Sequence, residues 1–108
     1  MIEHFNIRSL LERASQQKSF HVAAEKHLRI EFWTMARGET NSFTYEGDIV
    51  VTCYAGGFLL ESDAGTVKLG EMEQAVVPTG TPLRIVCEAH GTVQLIWTPP
   101  YAAATQER

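Results

Sequence analysis

The sequence predicts an all-β chain: an antiparallel double-sheet jelly roll with one short N-terminal helix. Three observations carry that expectation. Short apolar stretches with period-two alternation recur along the chain. Turn residues separate them at short intervals, as at Gly47-Asp48, Ser62-Asp63-Ala64-Gly65 and His90-Gly91. One segment near the start has helical spacing instead. Eight or nine short strands are expected.

In order, Ile7, Leu10, Leu11 and Ala14 fall on one helical face. Asn6 or Ser9 is the candidate cap, Ser9 with Glu12 at capping-box spacing. The apolar face of this helix is expected to cover one end of the barrel or a partner subunit. Gln16-Gln17-Lys18 connects it to a first hairpin turning at Glu25-Lys26. Phe20, Val22 and Ala24 alternate with Ser19, His21 and Ala23; Leu28, Ile30 and Phe32 alternate with His27, Arg29, Glu31 and Trp33. A polar loop at 37–41 leads into a strand from Ser42 to Glu46. Ile49 to Tyr54 is rich in β-branched and aromatic residues, Gly56-Gly57 breaks it, and Phe58 to Glu61 resumes, which reads as a hairpin. After the turn at 62–65, Val67 and Leu69 alternate with polar neighbours, and Ala75-Val76-Val77 stops at Pro78, which has no N–H for a ladder. Leu83, Ile85 and Cys87 share one face of the next strand. His90-Gly91 reads as a turn, Val93, Leu95 and Trp97 alternate once more, and Pro99-Pro100 ends the sheet.

The 108 residues suit one domain, 1–108, divided into helix and connector (1–17), barrel (18–99) and tail (100–108). Apolar residues at 44% and charged residues at 20% argue for a packed core. A net charge of −4 leaves no basic footprint, so no nucleic-acid partner is expected. No apolar run reaches the roughly 18 residues of a membrane span, so no membrane partner is expected either. The polar N-terminus does not read as a secretory signal, and a cytoplasmic location follows by default. Cys53 and Cys87 are too few for a disulfide framework and read as small buried thiols.

Val77-Pro78-Thr79-Gly80-Thr81-Pro82 resembles the second motif of the cupin superfamily, the RmlC-like barrels. In that motif the next position is usually a metal-binding His, and here it is Leu83. The family's first motif begins and ends on Gly and holds a His-x-His pair and a Glu between. Gly38 and Gly56 match the framing glycines, but the Glu position falls on Ile49 and the His pair near Ser42 and Thr44. No His occurs from Arg29 to Ala89, so no shift of alignment restores the pair. The resemblance spans Leu28 to Pro99. It implies a cupin-like β-barrel without the usual metal ligands, hence no metal and no cofactor.

The resemblance also implies which strand parity faces in: Ser42, Thr44, Ile49, Val51, Cys53, Leu83, Ile85 and Cys87. A divalent metal needs several imidazole or carboxylate ligands, and this set offers two hydroxyls and two thiols. The expected result is a dry or weakly polar cavity for packing, or for a small apolar or weakly polar ligand. Two other groupings are weighed. His21, His27 and Glu31 could form a metal cluster or a proton-transferring pair, against the plainer reading of a solvated face opposite Leu28, Ile30 and Phe32. Tyr45 and Glu46, near the expected mouth, are candidates for polar ligand contacts or acid/base work. The metal-free sugar epimerases that resemble this barrel use an inward His that the central strands here lack. Trp33 and Trp97 read as core or interface, and a homodimer that covers the edge of the first hairpin is expected. Three functions remain open: a metal-independent small-molecule binder or sensor, an enzyme with an atypical metal or acid/base site, and a structural or interaction barrel with a filled core. The apolar Ile49 and Leu83 favour the first and third.

Overall fold

The structure is a computed structural model that describes residues 4–24 and 29–98. The expected helix, α1, spans Ile7–Ala14. Asn6 is its cap: the Asn6 Oδ1 accepts the Ser9 backbone N–H at 3.0 Å, satisfying a first-turn donor that has no partner inside the helix. Seven strands follow among the described residues: β1 (Ser19–Ala24), β2 (Arg29–Met35), β3 (Thr40–Thr44), β4 (Ile49–Ser62), β5 (Gly65–Leu69), β6 (Glu73–Val77) and β7 (Pro82–Trp97). Every pairing is antiparallel. The turn of the first hairpin, with His27 and Leu28, lies outside the described residues.

Two strands are long, which corrects the expectation of eight or nine short ones. Gly56-Gly57 does not close a hairpin and His90-Gly91 does not reverse the chain. Instead β4 and β7 run through these points and pair with each other from Ile49–Trp97 to Glu61–Arg84. The glycines let the two strands touch where both bend. Gly56 has a φ of +83°, and a Cβ there would lie 2.4 Å from the Ala89 carbonyl oxygen; at Gly91 a Cβ would lie 1.9 Å from the Ala55 carbonyl oxygen. The ladder shifts register three times between Cys53 and Phe58, the irregularity by which a strand turns a corner into a second sheet.

The bend makes two facing layers from one continuous ladder. In the first, the order is β1-β2-β7-β4-β6, using residues 91–97 of β7 and 49–55 of β4; in the second it is β3-β7-β4-β5, using the other halves. Ile49, Val51, Val93 and Leu95 of the first layer share one buried cluster with Phe58, Leu60, Leu83 and Ile85 of the second. This is the double-sheet jelly roll, with the core between its layers.

A second cluster lies on the outer side of the first layer. Phe20 and Phe32 stack with ring centroids 5.3 Å apart, and Ala14 of α1 is buried with them, with Leu10, Leu11, Ile30 and Tyr54 packed around. The helix therefore covers the outside of the β1–β2 hairpin, and the Thr34 hydroxyl donates to the Ala14 carbonyl at 2.6 Å to fix its end. The expected roles of the two faces of β2 are exchanged. Ile30 and Phe32 face outward to the helix, while Glu31, Trp33 and Met35 face the core. Cross-strand partners show why: Glu31 lies opposite Leu95 and Trp33 opposite Val93, both inward residues of β7.

Candidate functional site

The inward residues of the central strands are packed. Ile49, Val51, Cys53, Leu83, Ile85 and Cys87 are each at most 4% exposed and belong to the core cluster. Burial pushes the thiols of Cys53 and Cys87 above their ordinary pKa, since a thiolate loses its hydration there. Ser42 and Thr44 do not join this set. The register of β3 places Ser42 opposite Arg84 and Phe43 opposite Leu83, so Phe43 turns inward and the two hydroxyl residues are exposed. They line a shallow outer groove of about 510 Å3 with Glu61 and Arg84. Pairing with the neighbouring strand, not distance from the framing glycine, decides the face.

Polar groups enter the space between the layers at one lateral edge. There β1 and β2 end the first layer and β3 ends the second, leaving a pocket of about 410 Å3 lined by Ser19, Glu31, Trp33, Met35 and Asn41, with Lys18 and Glu39 at its rim. Asn41 lies opposite the inward Ile85 and so shares the inner face. Behind the pocket stands an aromatic group: Trp33 meets Phe43 edge-on at 5.9 Å, and Trp97 lies 6.2 Å from Trp33, 5.2 Å from Phe43 and 4.9 Å from Tyr45. Such tilted and edge-on contacts suit ring quadrupoles.

Glu31 is the central polar group. Its side chain is 14% exposed. Its Oε1 accepts the Trp97 indole N–H at 3.0 Å, which holds the carboxylate against the aromatic group. Its Oε2 lies 3.7 Å from His21 Nε2 on the facing position of β1. Of the proposed His21, His27 and Glu31 cluster, the structure brings together His21 and Glu31, and His27 falls outside the described residues. At the rim, the Lys18 ammonium donates to both Glu39 carboxylate oxygens. The Ala36 backbone N–H, then Lys18, hold the Glu39 carboxyl below the ordinary carboxylate range. Tyr45 is half-buried and its hydroxyl donates to the Thr98 carbonyl, while its neighbour Glu46 is exposed.

No protein-family model matches the sequence, and no curated protein matches it. Solved structures do match. A cupin superfamily protein from Desulfitobacterium hafniense superposes with a TM-score of 0.71 at 20% identity, over 74% of this chain and 74% of the other. A cupin-2 domain protein from Shewanella frigidimarina gives 0.72 at 12% identity, over 87% and 93%. The fold is that of the cupins. An RmlC-like cupin from the same Shewanella gives 0.69 at 16% identity, over 75% of this chain and 74% of that one.

The cupin fold implies a divalent metal between the layers, and the donors among the described residues do not fit one. Ser42 and Thr44 face away from the core, and Ile49 and Leu83 fill it with hydrocarbon. Among the described residues no three His, Cys, Asp or Glu side chains converge. Sequence reasoning missed Ser19, Met35 and Asn41 and read Trp33 as core or interface. One signal was available: an amphipathic helix needs an apolar surface to cover, and Ile30 with Phe32 supplies it only if Trp33 and Glu31 point the other way.

Proposed function

We propose that this cupin is a metal-independent small-molecule-binding or sensing protein, and that its ligand enters at the lateral edge between β2 and β3. The observation that carries this reading is the Glu31 carboxylate. Its side chain is mostly buried, fixed by one indole N–H, and placed beside Trp33 in a pocket of about 410 Å3. Concave sites that combine an aromatic wall with a few oriented polar groups are the usual form of small-molecule sites. The packed interior supports the same placement, because Ile49, Val51, Cys53, Ile85 and Cys87 line neither this pocket nor the outer groove.

A thermal-shift screen of the purified, untagged chain against small molecules of varied charge tests the reading. Ligands that raise the melting temperature in a saturable way are expected, since binding to the folded state alone stabilises by mass action. Their effect should vanish in Trp33→Leu and persist after exhaustive chelation. A stoichiometric transition metal in elemental analysis, removed together with ligand binding by a chelator, would overturn metal independence.

A further inference from the structure

We propose that the occupant of this pocket is a small organic cation, an ammonium or guanidinium group carried on an apolar body. The proposal rests on the reading of the pocket as a binding site and adds the chemical class of its ligand. Three features of the site lead there. The first is the state of the Glu31 carboxylate. Oε1 is occupied by the Trp97 indole N–H at 3.0 Å, whereas Oε2 lies 3.7 Å from His21 Nε2, beyond hydrogen-bond length. The Glu31 side chain is only 14% exposed, so its carboxylate has limited contact with water, and a charged N–H donor compensates it better than a neutral hydroxyl does.

The second feature is the charge of the lining. Lys18, Glu31 and Glu39 are its ionisable residues, and Lys18 is already engaged by both oxygens of Glu39. Among the described residues, the charge left facing the cavity is therefore that of Glu31. His21 faces Glu31 from β1 with its side chain 47% exposed to solvent, and it does not line the pocket. An anionic ligand would have to bring its charge beside the desolvated Glu31 carboxylate, an arrangement that opposes binding.

The third feature is the wall itself. Trp33 lines the pocket, and an indole face attracts a cation within about 6 Å of its centroid. The same aromatic group already carries one cation of the chain, since the Arg29 guanidinium carbon lies 5.3 Å from the centroid of the Trp97 ring. With Met35 as an apolar contact and Asn41 and Ser19 as hydrogen-bonding groups, the pocket can hold a charged head at Glu31 and a hydrocarbon body along Trp33.

A matched series tests the assignment. The full chain is titrated with cyclohexylammonium, cyclohexanol and cyclohexanecarboxylate, then with benzylammonium, benzyl alcohol and benzoate. Binding is followed at the indole N–H signals of Trp33 and Trp97 by two-dimensional NMR. The ammonium compound of each set should bind saturably, at least tenfold tighter than the alcohol, with the carboxylate weakest. Glu31→Gln keeps an acceptor for the Trp97 indole, and should bring the ammonium compound's affinity down to that of the alcohol. If the alcohol or the carboxylate equals or exceeds the ammonium while still shifting the indole signals, the cation assignment is wrong and the pocket remains a binding site. If no compound shifts either signal, both the assignment and the binding site are refuted.

Discussion

Replacing Gly91 with alanine places a methyl carbon 1.9 Å from the Ala55 carbonyl oxygen, 2.5 Å from its carbonyl carbon and 2.7 Å from Gly56 Cα. All three neighbours are backbone, so no side chain can swing aside. Relief requires β4 and β7 to part at the corner where both pass from one layer to the other, and the inter-strand hydrogen bonds on either side must lengthen. Inserting a methyl into a tight core already costs roughly 1–3 kcal/mol where side chains can adjust. With only backbone to move, about 3–5 kcal/mol is expected, a large fraction of the roughly 5–15 kcal/mol that holds a typical domain folded. Gly38→Ala is the internal control. Its φ of +91° is unfavourable for alanine, yet nothing lies within 4 Å of the added carbon, so only the conformational cost of about 1–2 kcal/mol applies. Urea unfolding of both variants, read by tryptophan fluorescence, separates the two terms. Gly91→Ala should lose about 1–4 kcal/mol more than Gly38→Ala, or fail to fold while Gly38→Ala folds. Equal losses would refute the account of the corner as a backbone contact.

Two further predictions concern titratable groups. Burial raises the pKa of Cys53 and Cys87, so less thiolate exists at neutral pH and both should resist a thiol-reactive disulfide reagent in the folded chain; both should react fully in denaturant, and rapid labelling of the native protein would contradict the packed interior. Glu39 has its folded pKa depressed below the ordinary 4.5 by the Ala36 N–H and Lys18. Its stabilising contribution is therefore present above that ordinary value and is lost as pH falls through the lower folded value. NMR titration should place the Glu39 midpoint below those of unpaired glutamates, and Lys18→Met should raise it. A midpoint unmoved by that change would assign the shift to the Ala36 hydrogen bond alone.

Much of the jelly roll could be read from alternation. Ile49, Val51 and Cys53 on β4 and Leu83, Ile85 and Cys87 on β7 follow period two, and all six are buried. The Pro78–Pro82 segment separates β6 from β7 as its prolines require. The corners were not readable, because a glycine inside an apolar run signals equally a turn, a bulge or a close backbone contact. Gly56 and Gly91 serve as the last of these, and their partnership depends on a pairing that joins residues 35 positions apart, which no local pattern contains.

The position of the proposed site follows from the same ambiguity seen in β2. Both faces of that strand are largely apolar, Ile30 and Phe32 on one and Trp33 and Met35 on the other, so alternation identifies a strand without saying which face is inside. Once α1 claims the outer face, Glu31 is carried inward, where an unpaired carboxylate is costly. It is tolerable because β2 lies near the rim of its layer. From there one oxygen reaches the Trp97 indole and the other lies 3.7 Å from His21 Nε2. Deeper in, at Ile49 and Leu83, hydrocarbon stabilises the sandwich by roughly 1.5–3 kcal/mol per side chain, and there a polar ligand would find no partner. The packing that seals the centre of the barrel thus leaves its lateral edge as the place where charge, an aromatic surface and solvent access coincide.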